Sequence, residues 1–303
     1  MNSPKSFSST IIKIVLGIIF MLLGKPGISK GLTTFVFHDV TDTPSPHSLL
    51  TKTYTKEELF RTQIKWISKN FKVLNAQELS DRSLKSGSII TFDDGYKSAI
   101  LFASRHLQTL NLHSFHFINP TVTKGGVNST ALVHFIAQKN GEKLKWENSN
   151  PSYLRNEISK LTSLEKIELN DFSGPYANQN EIIKSVETGY ITIGNHGNNH
   201  WFLNSISKKE LMAEMQDSSE FLKEIPHSKR LFSTPHALAS EHSLEAIAQA
   251  GYEIIFSGEI RVEHSEYLVL PRIDMGVRIN NYLLFLGAIC LQKLKQLSSV
   301  LIA

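Results

Sequence analysis

The sequence predicts an α/β protein whose mostly parallel sheet curls into a barrel. Seven short apolar or β-branched runs alternate with segments whose apolar residues recur at helical spacing. Polar residues able to do chemistry follow directly on several of those runs: His38, Asp93 and Asp94, His196, His236 and Arg272. In a parallel barrel the C-terminal ends of the strands converge on one face. Residues far apart in the chain would therefore meet there.

Taken in order, Ile11 to Gly24 is apolar apart from Lys13. As a helix it would be about 21 Å long, short of the roughly 20 residues that the hydrocarbon core of a bilayer takes. It has the length of a signal-peptide core, but no clear A-x-A-like site follows. Three readings stay open: an uncleaved signal anchor, a poorly marked signal peptide, or a helix lying on the membrane surface or folded onto the domain. Residues 1–31 are set apart as this N-terminal hydrophobic segment, with membrane contact expected through 11–24.

Leu32–Phe37 reads as the first strand, and Thr41–His47 as a Pro/Ser-rich loop. Leu59, Ile64, Trp66 and Ile67 give Lys56–Asn70 a helical stripe. Ser88–Phe92 is a strand, with a helix expected from about Tyr96 to Leu110, and Ser114–Ile118 is the next strand. From about 121 to 183 the chain turns polar, with turn signals and helical patches, and reads as a helical insertion or cap. Alternation resumes with the strand Tyr190–Gly194. Ser207 then caps a helix running to Ile225, with Glu210 three residues on as its capping-box partner. Leu231–Ser233, Tyr252–Ser257 and Leu268–Arg272 complete the strands, with a helix over Glu241–Ala250. The catalytic domain is expected over 32–281, and an amphipathic helix over 282–303.

The net charge of +4 and the lack of a dense Lys/Arg run with interleaved aromatics argue against a nucleic-acid protein. The single cysteine, Cys290, excludes an intrachain disulfide and a cysteine-based zinc site, and leaves the compartment open.

The strand ends carry two informative patterns. His196 and His200 stand four residues apart, a spacing that brings both imidazoles to one side of a helical turn or compact loop. Two histidines and a carboxylate, with positions left open, form a common catalytic site for zinc or another divalent metal. Asp93–Asp94–Gly95 is the second pattern. Taken alone it is a turn, since Asp and Gly favour turns. Beside a metal site, one carboxylate can be a ligand while the other takes a proton from an attacking water. The cation would relieve the repulsion of the pair.

TFDDG at 91–95 followed by HxxxH at 196–200 resembles the polysaccharide deacetylases of the NodB-homology type. GYITIGNHGNNHWFLNSISKKEL resembles the family's second motif and following helix, and LFSTPHA and AIAQAGYEIIFS the stretch around its third. FVFHDV at 35–40 and LPRID at 270–274 resemble a branch that deacetylates exopolysaccharide and poly-N-acetylglucosamine polymers. The resemblance covers about residues 32–280 outside the insertion. It implies a deformed (β/α) barrel of about seven parallel strands. It implies a divalent metal, usually zinc with cobalt or nickel possible, and hydrolysis of N-acetyl groups on an amino-sugar polysaccharide or glycan precursor. By the same resemblance Asp93 is the base and Asp94, His196 and His200 are the metal ligands. His38 is the acid that protonates the leaving amine. The third motif's Arg, which orients the base in the family, is absent here, and Arg272 is the candidate replacement by its charge and its strand-end place. Pro235 and His236 form the oxyanion and substrate corner, with the main-chain N–H of His236 as the donor. The expected setting is the bacterial cell envelope or a membrane, on a side left open, the cytoplasm included.

Three departures bear on these expectations. Position 197 is Gly where the family prefers a hydroxyl residue, and looser ligands are expected. Ser233–Ala237 lacks the third motif's Tyr and Gly. No histidine follows 264, so His38 has to supply the acid. Two other functions stay open: a non-catalytic glycan-binding protein on this fold, and a metal-dependent amidohydrolase of a small substrate.

Overall fold

The computed structural model describes residues 4–81, 86–142, 150–258 and 261–302. Its main sheet contains strands β1 (Gly31–Phe37), β2 (Ser86–Phe92), β3 (Ser114–Ile118), β4 (Ile191–Asn195), β5 (Leu231–Ser233), β6 (Ile254–Phe256), β7 (Leu268–Leu270) and β8 (Arg272–Asp274). They lie in the spatial order β8-β1-β2-β3-β4-β5-β6-β7, all parallel, with the short segment Val262–Glu263 antiparallel on the edge of β7. The sheet is the curled, deformed barrel that the alternation and the resemblance predict.

The expected strand Leu268–Arg272 is two strands. β7 pairs with β6 and β8 pairs with β1, so one extended segment bridges the two edges of the curled sheet. Pro271 sits at the change of partner. Its missing N–H and fixed φ interrupt a ladder there at no cost to any pairing.

Side-chain parity along the strands decides what faces inward. Ile89, Phe115, Phe117, Leu231, Phe256 and Leu270, from five strands, form one buried cluster and define the interior. Phe35, Phe37, Ile90 and Phe92 point the other way, into a cluster shared with the outer helices. Counting by twos from the inner residues gives Asp93 after Ile89, Ser233 after Leu231, and Arg272 and Asp274 after Leu270. His38 and His196 fall on the same face, because Phe37 and Ile193 belong to outer clusters.

The outer helices follow their sequence signals. Glu57–Asn70 buries Phe60, Ile64 and Ile67. Lys208–Lys223 begins at a Ser207–Glu210 capping box. The helix expected over 96–110 starts as a π-helical segment, Ala99–Ala103, before the α-helix Ser104–Thr109. The insertion holds the helices Pro120–Thr123, Ser129–Lys139, Pro151–Lys160 and Ser163–Ser173, with Gln179–Val186 at its end; its residues 143–149 lie outside the described ones. Asn128, Asn150, Thr162 and Asn178 each cap the helix that follows.

The N-terminal helix, Pro4–Leu22, packs against the C-terminal helix, Tyr282–Ile302. Among the described residues, no helix is long and apolar enough to cross a membrane.

Candidate active site

Asp93 ends β2 on the inner face and is buried. Arg272 grips it with a two-pronged fork, Nη1 donating to Oδ1 at 2.7 Å and Nη2 lying 2.7 Å from Oδ2. The Ser233 hydroxyl lies 3.3 and 3.2 Å from the same two oxygens. Burial alone would raise this carboxyl. The Arg272 charge, helped by His196, outweighs it and holds the group below the ordinary carboxylate range.

Asp94 turns off the strand at φ 70°, followed by Gly95 at φ 77°. Aspartate tolerates the left-handed region better than most residues, and the turn aims its carboxylate away from Asp93's partners. Its Oδ1 lies 3.4 Å from His196 Nε2 and 3.1 Å from His200 Nε2. One ligand atom each from Asp94, His196 and His200 can be chosen so that all lie within 4.8 Å of one another.

These three residues fit a divalent cation on structural grounds. Asp94 Oδ1 is buried and has no hydrogen bond, although two imidazole nitrogens are beside it. The far nitrogens of both rings are engaged elsewhere. His196 Nδ1 donates to the Ser233 carbonyl at 2.8 Å, and His200 Nδ1 lies 2.8 Å from the Thr130 hydroxyl. Both Nε2 atoms are thus left facing one point beside an unpartnered carboxylate oxygen, the arrangement a cation completes.

The HxxxH segment is a loop rather than a helix, with Gly197 at φ 75° and His200 at φ 58°. Its stiffness comes from outside, and this corrects the expectation that Gly197 loosens the ligands. Asn119 Nδ2 donates to the carbonyls of His196 and Gly197 at 2.6 and 2.9 Å. Buried Glu214 accepts from the N–H groups of Asn198 and Asn199 at 2.8 Å each, and also holds the Asn199 side chain. Ser129 donates to the His200 carbonyl at 2.6 Å.

A cavity of about 390 Å³ opens over these groups. His38, half-buried at the end of β1, lines it together with Arg272 and Asp274. The opposite wall comes from the insertion, through Asn128, Thr130 and His134. His134 Nδ1 lies 3.2 Å from Nε2 of buried His47. Burial, then the neighbouring His134, pushes His47 down to about 3.

His236 lines the cavity with its ring as well as its backbone. The ring centroid is 4.9 Å from that of His200, and Nε2 is 3.3 Å from Thr130 Oγ1. Burial, then His200, pushes it down to about 3. Pro235 is buried beneath the loop, near Gly197, and does not line the cavity. His236 and Ala237 both stand in the left-handed region, at φ 59° and 53°.

The structure thus brings together Asp93, Asp94, His196, His200, His38, Arg272 and His236, and places Pro235 underneath. Sequence reasoning missed Asn119, Ser129, Thr130, His134, His47 and Glu214 as parts of the site. For Asn119 a signal existed, since it directly follows β3 as the other site residues follow their strands.

The sequence model for polysaccharide deacetylase matches residues 82–255, more than half of the chain. Similar solved structures include IcaB from Ammonifex degensii, with 14% identity and a TM-score of 0.57 over 86% of this chain and 97% of that one. The Streptococcus pyogenes deacetylase PplD in complex with acetate gives 14%, 0.56, 82% and 94%. A de-N-acetylase from Aggregatibacter actinomycetemcomitans gives 14%, 0.53, 80% and 95%. At such identities the likeness is one of fold. A search of curated proteins finds no match. With a family model over most of the barrel and the same fold in its solved relatives, the chain belongs to the polysaccharide deacetylase family of hydrolases.

Proposed function

We propose that the chain removes N-acetyl groups from an amino-sugar polysaccharide or glycan precursor, with Asp93 as the base. The observation that carries this is the division of the two carboxylates. Asp93 is bound by Arg272 and Ser233, while Asp94 faces two imidazoles with an unpartnered oxygen. A shared site with two roles calls for two environments.

Asp94, His196 and His200 would hold a divalent cation, zinc by this donor set, with cobalt or nickel as alternatives. When bound, it supplies Lewis-acid stabilisation of the charge that develops on the acetyl oxygen. Asp93 stays ionised at neutral pH and takes the proton of the attacking water. Arg272 fixes the carboxylate's orientation so that little reorganisation is needed. Across the cavity His38 gives its proton to the departing amine. The backbone N–H of His236 is the proposed donor to the oxyanion. The products are acetate and a free amino sugar.

The test is acetate release by the full chain from N-acetylglucosamine oligomers and polymer, metal-stripped and with zinc, cobalt or nickel restored. Metal-dependent release that Asp93→Asn abolishes, with metal still bound, supports the reading. Full activity in both Asp93→Asn and Asp94→Asn would sink it. The insertion wall favours a second reading, a small or terminal N-acetyl substrate, since Thr130 and His134 enclose the cavity on that side. Rates that fall with oligomer length would select it.

A further inference from the structure

Charge is unevenly distributed along this chain. Residues 1–38 and 275–303 contain seven Lys and Arg and not one Asp or Glu, so with a total of +4 the stretch between them is net negative. The fold brings these two cationic segments together. The N- and C-terminal helices cross so closely that a Cβ on Gly17 would overlap the Leu283 carbonyl, and one on Gly287 the carbonyl of Lys13. Phe20 is buried in the same core cluster as Phe285. Lys25 donates to the Tyr282 hydroxyl at 3.1 Å, and Lys293 to the Lys30 carbonyl at 2.6 Å. The N-terminal helix is therefore a fixed part of the domain.

Its outer face is apolar and uncovered. Ile11, Ile12, Val15, Ile18, Ile19 and Leu22 are between 38% and 77% exposed. Their spacing of i, i+1, i+4, i+7, i+8 and i+11 makes one continuous stripe. Leu294 and Leu297 of the C-terminal helix are exposed too. Lys13, on the face of the N-terminal helix that meets the C-terminal one, lines a cleft of about 220 Å³ with Arg278 and Lys295. Arg272 and Asp274 line both this cleft and the catalytic cavity, so the two adjoin.

We propose that the paired terminal helices seat the protein on an anionic lipid surface, and that the substrate is an amino sugar carried there on a lipid phosphate, with the phosphate held in the cleft. This rests on the deacetylase reading of the site. An apolar stripe on a helix pair that carries cations and no acidic residue matches an interface of acyl chains and phosphates. A second copy of the chain would set like charges against each other.

Two measurements with the full chain test it. The first is flotation with phosphatidylcholine vesicles, with and without phosphatidylglycerol. Binding should need phosphatidylglycerol, weaken with salt, and be lost in a Val15→Asp, Ile18→Asp double variant. Leu164→Asp, at a 65% exposed leucine on the insertion, should keep it. No flotation, or equal loss in both variants, overturns the docking surface. The second is kcat/KM for acetate release from N-acetylglucosamine, its 1-phosphate, and the 1-phosphate esterified to a long alkyl chain in vesicles. The lipid-linked substrate should win by at least about tenfold over the free sugar, and Arg278→Glu and Lys295→Glu should shrink that ratio. A preference equal for the free and lipid-linked phosphates points to a soluble sugar phosphate and overturns the lipid carrier. Equal rates on all three overturn the phosphate site. Acetate from none of them overturns the deacetylase reading and with it the substrate, while flotation still decides the surface.

Discussion

The two walls of the cavity are built by different means. The strand-end wall places Asp93, Ser233, His196, His38 and Arg272 by parity, each side chain following from where its strand ends, and is centred on the charge-assisted bonds that join Asp93 to Arg272 and Ser233. The insertion wall rests on neutral contacts: a hydroxyl on an imidazole at Thr130–His200, a hydroxyl on a carbonyl at Ser129–His200, and an imidazole pair at His47–His134. Charge-assisted bonds are about twice as strong as neutral ones. The first wall is suited to fix the reacting groups, and the second to shape what reaches them. Damage to the first should show as lost turnover, and damage to the second as altered metal affinity or substrate preference.

The largest effect should come from Asp93→Asn. Removing the base should lower kcat by about 10³-fold with metal content unchanged, as checked by acetate release and metal analysis of the same sample. Arg272→Met comes next. It leaves a buried carboxylate without its cation, a change that costs about 3 kcal/mol and should lower the melting temperature. It also removes the main influence that lowers Asp93's pKa, so burial raises the carboxyl. The acid limb of the pH–rate profile should therefore move to higher pH. An unmoved limb would mean that Arg272 does not tune the base.

Acid should act on the insertion wall through His47, which packs on His134. His47 titrates near 3 in the fold against 6.5 when free. The unfolded chain thus takes up a proton that the folded one refuses. The stability this contributes is complete above pH 6.5 and drains away as the pH falls towards 3, on the order of 2 kcal/mol by pH 5. His47→Gln should flatten that slope in melting curves measured from pH 7 to 5.

Thr130→Val deletes the hydroxyl that holds His200 Nδ1 while keeping the side chain's volume. Supporting contacts of this kind change metal affinity by about tenfold or more. Titration with cobalt should show the loss, and Thr130→Ser should restore affinity. If valine binds metal as well as threonine does, the insertion merely covers the site.

The sequence was legible where one local rule sufficed. Alternation with period 2 and polar strand ends located Asp93, His196 and Arg272, because β-geometry makes side-chain direction a matter of counting. Ser207 and Glu210 marked a helix start for the same local reason. Thr130 and His134 had no such marker. They lie in a largely buried helix about 70 residues before His200, and only the folding-back of the insertion brings them near. Glu214 reads as one more surface glutamate of an amphipathic helix, yet it is 3% exposed. Its partners are backbone N–H groups, which leave no trace in a residue pattern. The bridging role of Leu268–Asp274 was hidden because Pro271 looks like a strand end, whereas here it marks a change of neighbour.

Ala237 gives the smallest and sharpest test, because it lines the cavity from a strained turn. It stands at φ 53°, next to His236 at 59°. The left-handed region costs a residue with a Cβ about 1–2 kcal/mol. Ala237→Gly removes that strain, but it also gives the unfolded chain more freedom, which costs about 0.4–1 kcal/mol. The net should be a gain of up to about 1 kcal/mol, a rise in melting temperature of about 2–4 °C for a domain of this size. The kinetic consequence separates two roles for the strain. If the turn merely tolerates alanine, glycine should stabilise the protein and leave kcat/KM unchanged. If the Cβ helps hold the neighbouring His236 N–H in place, the more flexible glycine should raise the melting temperature while lowering kcat, with KM little changed.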